Sequence, residues 1–352
     1  MSDSTKAPSS LLYRWDLDKT YLRTEFDTLR DLLRTAFEPA ARKQTVPGAA
    51  ALLRELCSSR AAAIHILSGS PEQMRNVLEA KLRLDGITWD SFTLKPSLHH
   101  LVRGRFRFLR DQIGYKLGAL LASRIEVPSE IDEILFGDDA EADALIYSLY
   151  ADLCAGRAGE DTLVAVARLA RVYDDQRERL LELYRSLEKR DAVRRVFIHL
   201  DRISSPRDFE GFGPLICPFY NYFQPALVLA ERGVLSGAAA LRVGAEMMAH
   251  DDFDAEGLFA SFMDLVQRGH IGESAARILC ETWSRGAAEE LGRVAPSLSE
   301  FVESIDKEAT TLAAAVDFAA TSNLDYASLF SRDVARAHAA RRRVVGRAGR
   351  RR

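Results

Sequence analysis

Short apolar runs at 11–16, 61–67, 89–94, 131–136 and 196–200 alternate with stretches of helical spacing, and this alternation constrains the fold more than any other feature. Between the first two runs, Phe26, Leu29, Leu32, Leu33 and Phe37 recur at helical steps within 22–42. Strands separated by helices predict a parallel sheet of about five strands, covered on both faces. In such a sheet the carboxyl ends of the strands share one edge, where ligands bind. The runs end in polar clusters: Asp16-Leu17-Asp18, then Ser68-Gly69-Ser70-Pro71, then Lys95-Pro96, then Gly137-Asp138-Asp139. Groups far apart in sequence can therefore converge.

Asp16 and Asp18 are the most informative pair. Side chains at i and i+2 leave a strand on one face, so both carboxylates can reach one small volume. Two close carboxylates do not ionise comfortably together unless a cation or a held proton relieves them. The pair suits one carboxylate as nucleophile and the other as proton shuttle. By itself Asp-x-Asp is equally a solvated strand end. Likewise Ser68 alone reads as a helix cap, opening a helix over 71–82 with Pro71 in first position. Lys116 alone reads as a solvated helical lysine within 97–125. Asp139, Glu141 and Asp143 alone read as first-turn acids. It is their order along the chain that gives them weight together.

The remaining composition excludes more than it suggests. The chain has 352 residues, enough for one large or two medium domains, with 47% apolar and 28% charged residues, as in ordinary globular proteins. A net charge of −3 points to no partner class. Cys57, Cys154, Cys217 and Cys280 are scattered without metal-ligand spacing and read as reduced, buried thiols, which predicts a cytoplasmic protein. Residues 1–10 are polar, predicting a disordered start without a signal peptide. No apolar run approaches membrane-spanning length. His65 and His199 lie in apolar runs and read as core residues; His99 and His100 could border the site. Ser68-Gly69-Ser70 lacks the ending of a P-loop.

Taken in order, these motifs resemble the haloacid dehalogenase superfamily of phosphohydrolases. The matching residues are Asp16-Leu17-Asp18-Lys19-Thr20, then Ser68, then Lys116 within the 108–116 stretch, then Gly137-Asp138-Asp139 with Asp143. The Ser-Gly-Ser-Pro turn, the Phe-Leu-Arg-Asp stretch ending at Lys116, and Ile146-Tyr147 look most like the catalytic domain of actin-patch-type phosphatidate phosphatases. Lys19 departs from the Asp or Gly common in that branch. The resemblance implies a HAD-like Rossmannoid α/β domain over 11–205. It also implies an aspartyl-phosphate mechanism. In it Asp16 is the nucleophile, Asp18 the acid and base, and Ser68 and Lys116 phosphoryl contacts, with Lys95 competing for the lysine role. Thr20, Gly69 and Ser70 would border the phosphate. Mg²⁺ would be held by Asp138, the Asp16 carboxylate and the Asp18 carbonyl, supported by Asp139 or Asp143.

Beyond residue 205 the pattern changes. Residues 206–330 show helical spacing at 224–249, 254–269, 271–292 and 297–319, predicting an all-helical accessory domain. The aromatic stretch 212–223 reads as core against the sheet, with a substrate lid as the alternative. An arginine-rich tail, 331–352, carries Arg336, Arg341, Arg342, Arg343, Arg347, Arg350, Arg351 and Arg352. It is expected to be disordered, and contact with anionic membrane is its functional reading. No aromatic interleaving or groove-reading motif favours nucleic acid. The expectation is thus a Mg²⁺-dependent phosphomonoester hydrolase acting on phosphatidate or a related lipid. The alternatives are a small soluble phosphate ester as substrate, or a non-catalytic phosphate-binding scaffold.

Overall fold

The computed structural model describes residues 11–22, 45–58, 62–95, 112–201, 204–316 and 324–336. The expected disordered start, residues 23–42 of the stretch with helical spacing, His99, His100 and the tail beyond Arg336 lie outside the described residues.

Six parallel strands form one open sheet in the order β3-β2-β1-β4-β5-β6. They are β1 (Leu11–Trp15), β2 (Ala62–Pro71), β3 (Ser91–Lys95), β4 (Asp132–Asp138), β5 (Val193–His199) and β6 (Ile216–Phe219). The expected five strands are therefore one short. Ile216-Cys217-Pro218-Phe219 is too brief to show periodicity, and its proline removes a ladder donor, which only an edge strand tolerates. Among the described residues β6 is that edge strand, pairing with β5 alone.

The order turns back at β1. The chain runs outward through β2 and β3, then returns to place β4 on the other side of β1. The crevice at such a switch point is where open α/β sheets bind ligands. Trp15 pairs in register with Phe136, so the residues that follow them, Asp16 and Gly137-Asp138, emerge side by side at that crevice.

Both faces of the sheet are covered. On one face lie α1 (Ala49–Ser58), α2 (Arg75–Leu84) and the helices α7 (Phe223–Glu231), α8 (Gly237–His250), α9 (Ala255–Gln267), α10 (Glu273–Ser284) and α11 (Ala295–Ala309). Tyr13, Trp15, Phe136, Phe197 and Phe219 point into this layer, with Trp15 stacked on Phe136 at 3.9 Å between ring centres. The helices after residue 222 thus share one apolar core with the sheet. The aromatics Phe212, Phe219, Tyr222 and Phe223 are buried there or in the opposite core, while Tyr220 is exposed. The expected continuous helix over 224–249 is two, because Gly233 adopts a left-handed φ of 68° between α7 and α8.

On the other face lie α3 (Gly118–Glu126), α4 (Asp143–Ala155), α5 (Glu160–Leu169), α6 (Asp174–Ser186) and a last helix, α12, over 326–336. α4 is almost wholly buried and ends where Gly156 takes φ 74°. Beneath it, Arg14 forks onto Glu133, which Arg124 and Tyr150 also contact. This fixes β1 against β4. α12 is seated by Leu329, Phe330 and a 2.6 Å bond from Tyr326 Oη to Asp152 Oδ2. Arg336, expected in a disordered tail, is the last described residue of this helix and pairs with Asp333.

Farther from the switch point, Arg195 of β5 donates to His270 Nδ1 at 2.8 Å. A guanidinium can only donate, so His270 must accept and stay neutral. Burial first, then the Arg195 and Arg268 charges, push His270 down to about 2.

Candidate active site

Asp16 is fully buried at the end of β1, its N–H bonded to the Phe136 carbonyl at 3.0 Å. The chain then turns sharply through Lys19, which adopts a left-handed φ of 59°, a conformation mildly unfavourable for a side-chain-bearing residue. Two contacts from the β5–β6 edge hold this turn. His199 Nδ1–H donates to the Lys19 carbonyl at 2.7 Å, and Tyr222 Oη donates to the Thr20 carbonyl at 2.6 Å. The Thr20 hydroxyl in turn donates to Asp16 Oδ2 at 3.2 Å. Thr20, expected to border the phosphate, is thus in contact with Asp16 and orients it.

Asp18 faces β2. Its Oδ2 accepts hydrogen bonds from Ser68 Oγ at 2.8 Å and Ser70 Oγ at 2.6 Å. The register of β2 against β3 shifts between Ser68 and Pro71, and such irregularities commonly re-aim side chains beside active sites. β2 stays extended through Pro71, and after a short 3-10 turn over Glu72–Met74 the helix begins at Arg75. It therefore starts later than expected at Pro71, and Ser68 and Ser70 serve Asp18 instead of a helix cap. An ideal Cβ on Gly69 would lie 3.7 Å from Glu141 Oε1, so this turn roofs the acidic residues.

Lys116 sits in a π-helical turn, Ile113–Leu117, that opens α3. Such turns are rare and recur at functional sites. Its ammonium is fully buried and lies 2.6 Å from Asp143 Oδ1, 2.5 Å from Glu141 Oε2 and 3.6 Å from Asp16 Oδ1. Lys116 is therefore a lysine placed among the acids. Asp138 Oδ1 accepts from the Ala140 and Glu141 N–H groups, and Asp143 Oδ2 from the Asp138 N–H at 3.2 Å. Gly137 permits this packing: a Cβ there would lie 2.8 Å from Asp143 Cβ and 2.7 Å from Tyr147 Cε2.

Asp16, Asp138, Glu141 and Asp143 each offer an oxygen within 4.8 Å of the others. Asp139 is outside this group. Its carboxylate accepts from the Ser204 N–H at 3.3 Å, and its own N–H donates to the His199 carbonyl at 2.9 Å. Of the two alternatives Asp139 and Asp143, Asp143 is the one in the group, and Glu141 joins it, a role that a first-turn acid gives no sequence sign of.

The electrostatics follow from burying these acids around the Lys116 ammonium. Burial pushes the Asp16 carboxyl well above the usual range; Lys116 opposes this, while Asp143, Glu141 and Asp138 add to it. Asp138 is raised by burial and by Asp143 and Glu141. Asp143 is raised to about 6, chiefly by burial, against the pull of Lys116. Asp18 is raised by burial, against the two serine bonds. Burial alone would lower Lys116, but Asp143, Asp16 and Glu141 outweigh it and hold its ammonium well above the ordinary value. Meanwhile Asp16 Oδ1, Asp18 Oδ1 and Asp138 Oδ2 are buried without a hydrogen-bond partner among the described residues. Unpartnered carboxylate oxygens in a cluster with excess negative charge fit a hard divalent cation such as Mg²⁺.

A carboxylate-lined site at the switch point of a parallel α/β sheet is the class of site that the fold and geometry define. Residues 15–159 match the family model of the phosphatidate phosphatase APP1 catalytic domain. The match spans less than half of the chain and includes Asp16, Asp18, Ser68, Lys116, Asp138, Glu141 and Asp143; β5, β6 and the later helices fall outside it. No curated protein and no solved structure matches the chain. Among the described residues no helix is long and apolar enough to cross a membrane.

Proposed function

We propose that the chain is a HAD-like phosphomonoester hydrolase that acts on phosphatidate or a related lipid phosphate, with Asp16 as nucleophile. The observation that carries this reading is the juxtaposition at one sheet edge of Asp16, Asp18 bound by two serines, and a buried Lys116, within the span that matches a phosphatidate phosphatase catalytic domain.

Asp16 attacks phosphorus as the ester P–O bond breaks, giving an aspartyl-phosphate and an alkoxide. Asp18 is suited to protonate that alkoxide, because burial raises its carboxyl and its Oδ1 has no hydrogen-bond partner among the described residues while Oδ2 is occupied by Ser68 and Ser70. The resulting Asp18 carboxylate then takes a proton from water, which attacks the aspartyl-phosphate, releases phosphate and restores Asp16. Lys116 offsets charge as the phosphate anion approaches Asp16. Thr20 holds Asp16 Oδ2 and so leaves Oδ1 as the attacking atom. Asp16, Asp138, Glu141 and Asp143 would hold Mg²⁺, which when bound supplies Lewis-acid stabilisation of the phosphoryl oxygens.

Phosphate release should be measured from phosphatidate vesicles and from a soluble aryl phosphate, each with Mg²⁺ or with a chelator. Mg²⁺-dependent release from the vesicles supports the reading. Release from the aryl phosphate alone moves the substrate to a soluble ester. No release from either leaves a binding module and contradicts the proposal.

A further inference from the structure

The loop 138–141 presents two of the four clustered acids, yet its anchors lie outside the span that matches the phosphatase domain. Asp138 closes this loop on itself by accepting from the Ala140 N–H at 2.5 Å and the Glu141 N–H at 3.0 Å. That leaves Asp138 Oδ2 directed into the cluster without a partner among the described residues. The turn pivots on Asp139, which is held at three points. Its N–H donates to the His199 carbonyl, its carboxylate accepts from the Ser204 N–H, and its carbonyl accepts from Arg336 Nη1. The Arg336 bond is charge-assisted, the strongest kind available to a carbonyl.

Arg336 is itself fixed. Its guanidinium pairs with Asp333 at 2.5 Å, reaches Ser204 Oγ at 3.3 Å and lies 5.1 Å from the centre of the Phe209 ring. The Asp333 carboxylate offsets its charge locally, so its main effect on the loop is on position. α12 carries it there, seated by Tyr326, Leu329 and Phe330.

We infer that Arg336 is a positioning residue that holds the loop 138–141 in the shape that binds a divalent cation, making α12 a working part of the site. The inference rests on the metal reading given above. Groups that orient metal ligands from behind typically change metal affinity by about 10–100-fold when removed.

The test is a titration of metal-stripped, full-length protein with Mn²⁺, followed by electron paramagnetic resonance, alongside thermal midpoints. Arg336→Ala should weaken Mn²⁺ binding by about tenfold. Arg336→Gln keeps an N–H donor for the Asp139 carbonyl and should lose less. Phe301→Leu opens the core on the opposite face of the sheet, away from α12 and the loop; it should lower the midpoint but leave Mn²⁺ affinity near that of the wild type. Equal Mn²⁺ affinity in wild type and Arg336→Ala overturns the inference. So does loss of affinity that merely tracks the thermal midpoint across all three variants. Failure of the wild type itself to bind Mn²⁺ instead overturns the metal reading, and the inference with it.

Discussion

Lys116 Nζ lies 2.6 Å from Asp143 Oδ1, and both side chains are fully buried. Few pairs in the chain are so consequential, because Lys116 is the ammonium among the clustered acids Asp16, Asp138, Glu141 and Asp143. Removing one partner of a buried pair strands the other charge at about 3–5 kcal/mol. Lys116→Met keeps the length and drops the charge. It should lower metal-free stability by about that amount in chemical denaturation and abolish hydrolysis. Saturating Mg²⁺ should recover part of the stability but not the activity. A variant as stable as wild type without metal would contradict the account of the cluster.

Gly137→Ala tests how closely Asp143 packs on β4. The new methyl would stand 2.7 Å from Tyr147 Cε2 and 2.8 Å from Asp143 Cβ, and neither belongs to a side chain with room to move. Overpacking of this kind costs about 1–3 kcal/mol. The thermal midpoint should fall and hydrolysis with it; an unchanged midpoint would mean that Asp143 sits elsewhere.

Much of this site was legible in the chain, and the rest was hidden for definite reasons. Asp16 and Asp18 could be paired because period-2 geometry puts i and i+2 on one face. Asp138 and Asp143 could be joined to them because parallel strands end on one edge. Glu141 could not be seen, since an acid after a strand reads as a helix-dipole partner until the Asp138 turn folds it back onto Lys116. Ser68 and Ser70 were placed at the site by the resemblance, as phosphate contacts, but nothing local says that their hydroxyls meet Asp18 across fifty residues of chain. β6 was too short and carries a proline. Arg336 was masked by the arginines that follow it, and His199, read as core, turned out to hold the Lys19 carbonyl. Each miss concerns a tertiary contact that no periodicity encodes.

His270 gives the fold a pH signature away from the site. Its folded value of about 2 lies below the unfolded 6.5, so the unfolded chain takes up a proton first. The stability that neutral His270 contributes is fully present above pH 6.5. It declines by about 1.4 kcal/mol per unit as pH falls towards the folded value. His270→Asn keeps an acceptor for Arg195 but cannot titrate in this range. Denaturation curves of the two proteins should therefore converge, or cross, between about pH 7 and about pH 5. A constant gap would show that His270 takes up its proton as readily in the folded chain as in the unfolded one.

The tail beyond Arg336 is a candidate anchor for anionic lipid. Arg341, Arg342, Arg343, Arg347, Arg350, Arg351 and Arg352 lie there, and each near an anionic surface contributes about 1 kcal/mol, screened by salt. Deleting 337–352 spares Arg336 and every residue of the cluster. Sedimentation with phosphatidate vesicles should weaken at low salt, and turnover of vesicle substrate should slow, while aryl phosphate turnover stays unchanged. Equal sedimentation of both proteins would remove the tail from the mechanism.

The central claim is that Asp16 attacks the phosphorus of a lipid phosphate. It is tested most directly by acid-quenching the protein with phosphatidate carrying a radiolabelled phosphate, in the presence of Mg²⁺, and counting label bound covalently to protein. Wild type should carry acid-stable label located on Asp16, and Asp16→Asn, with an unchanged circular dichroism spectrum, should carry none and release no phosphate. Continued phosphate release by Asp16→Asn would contradict the account.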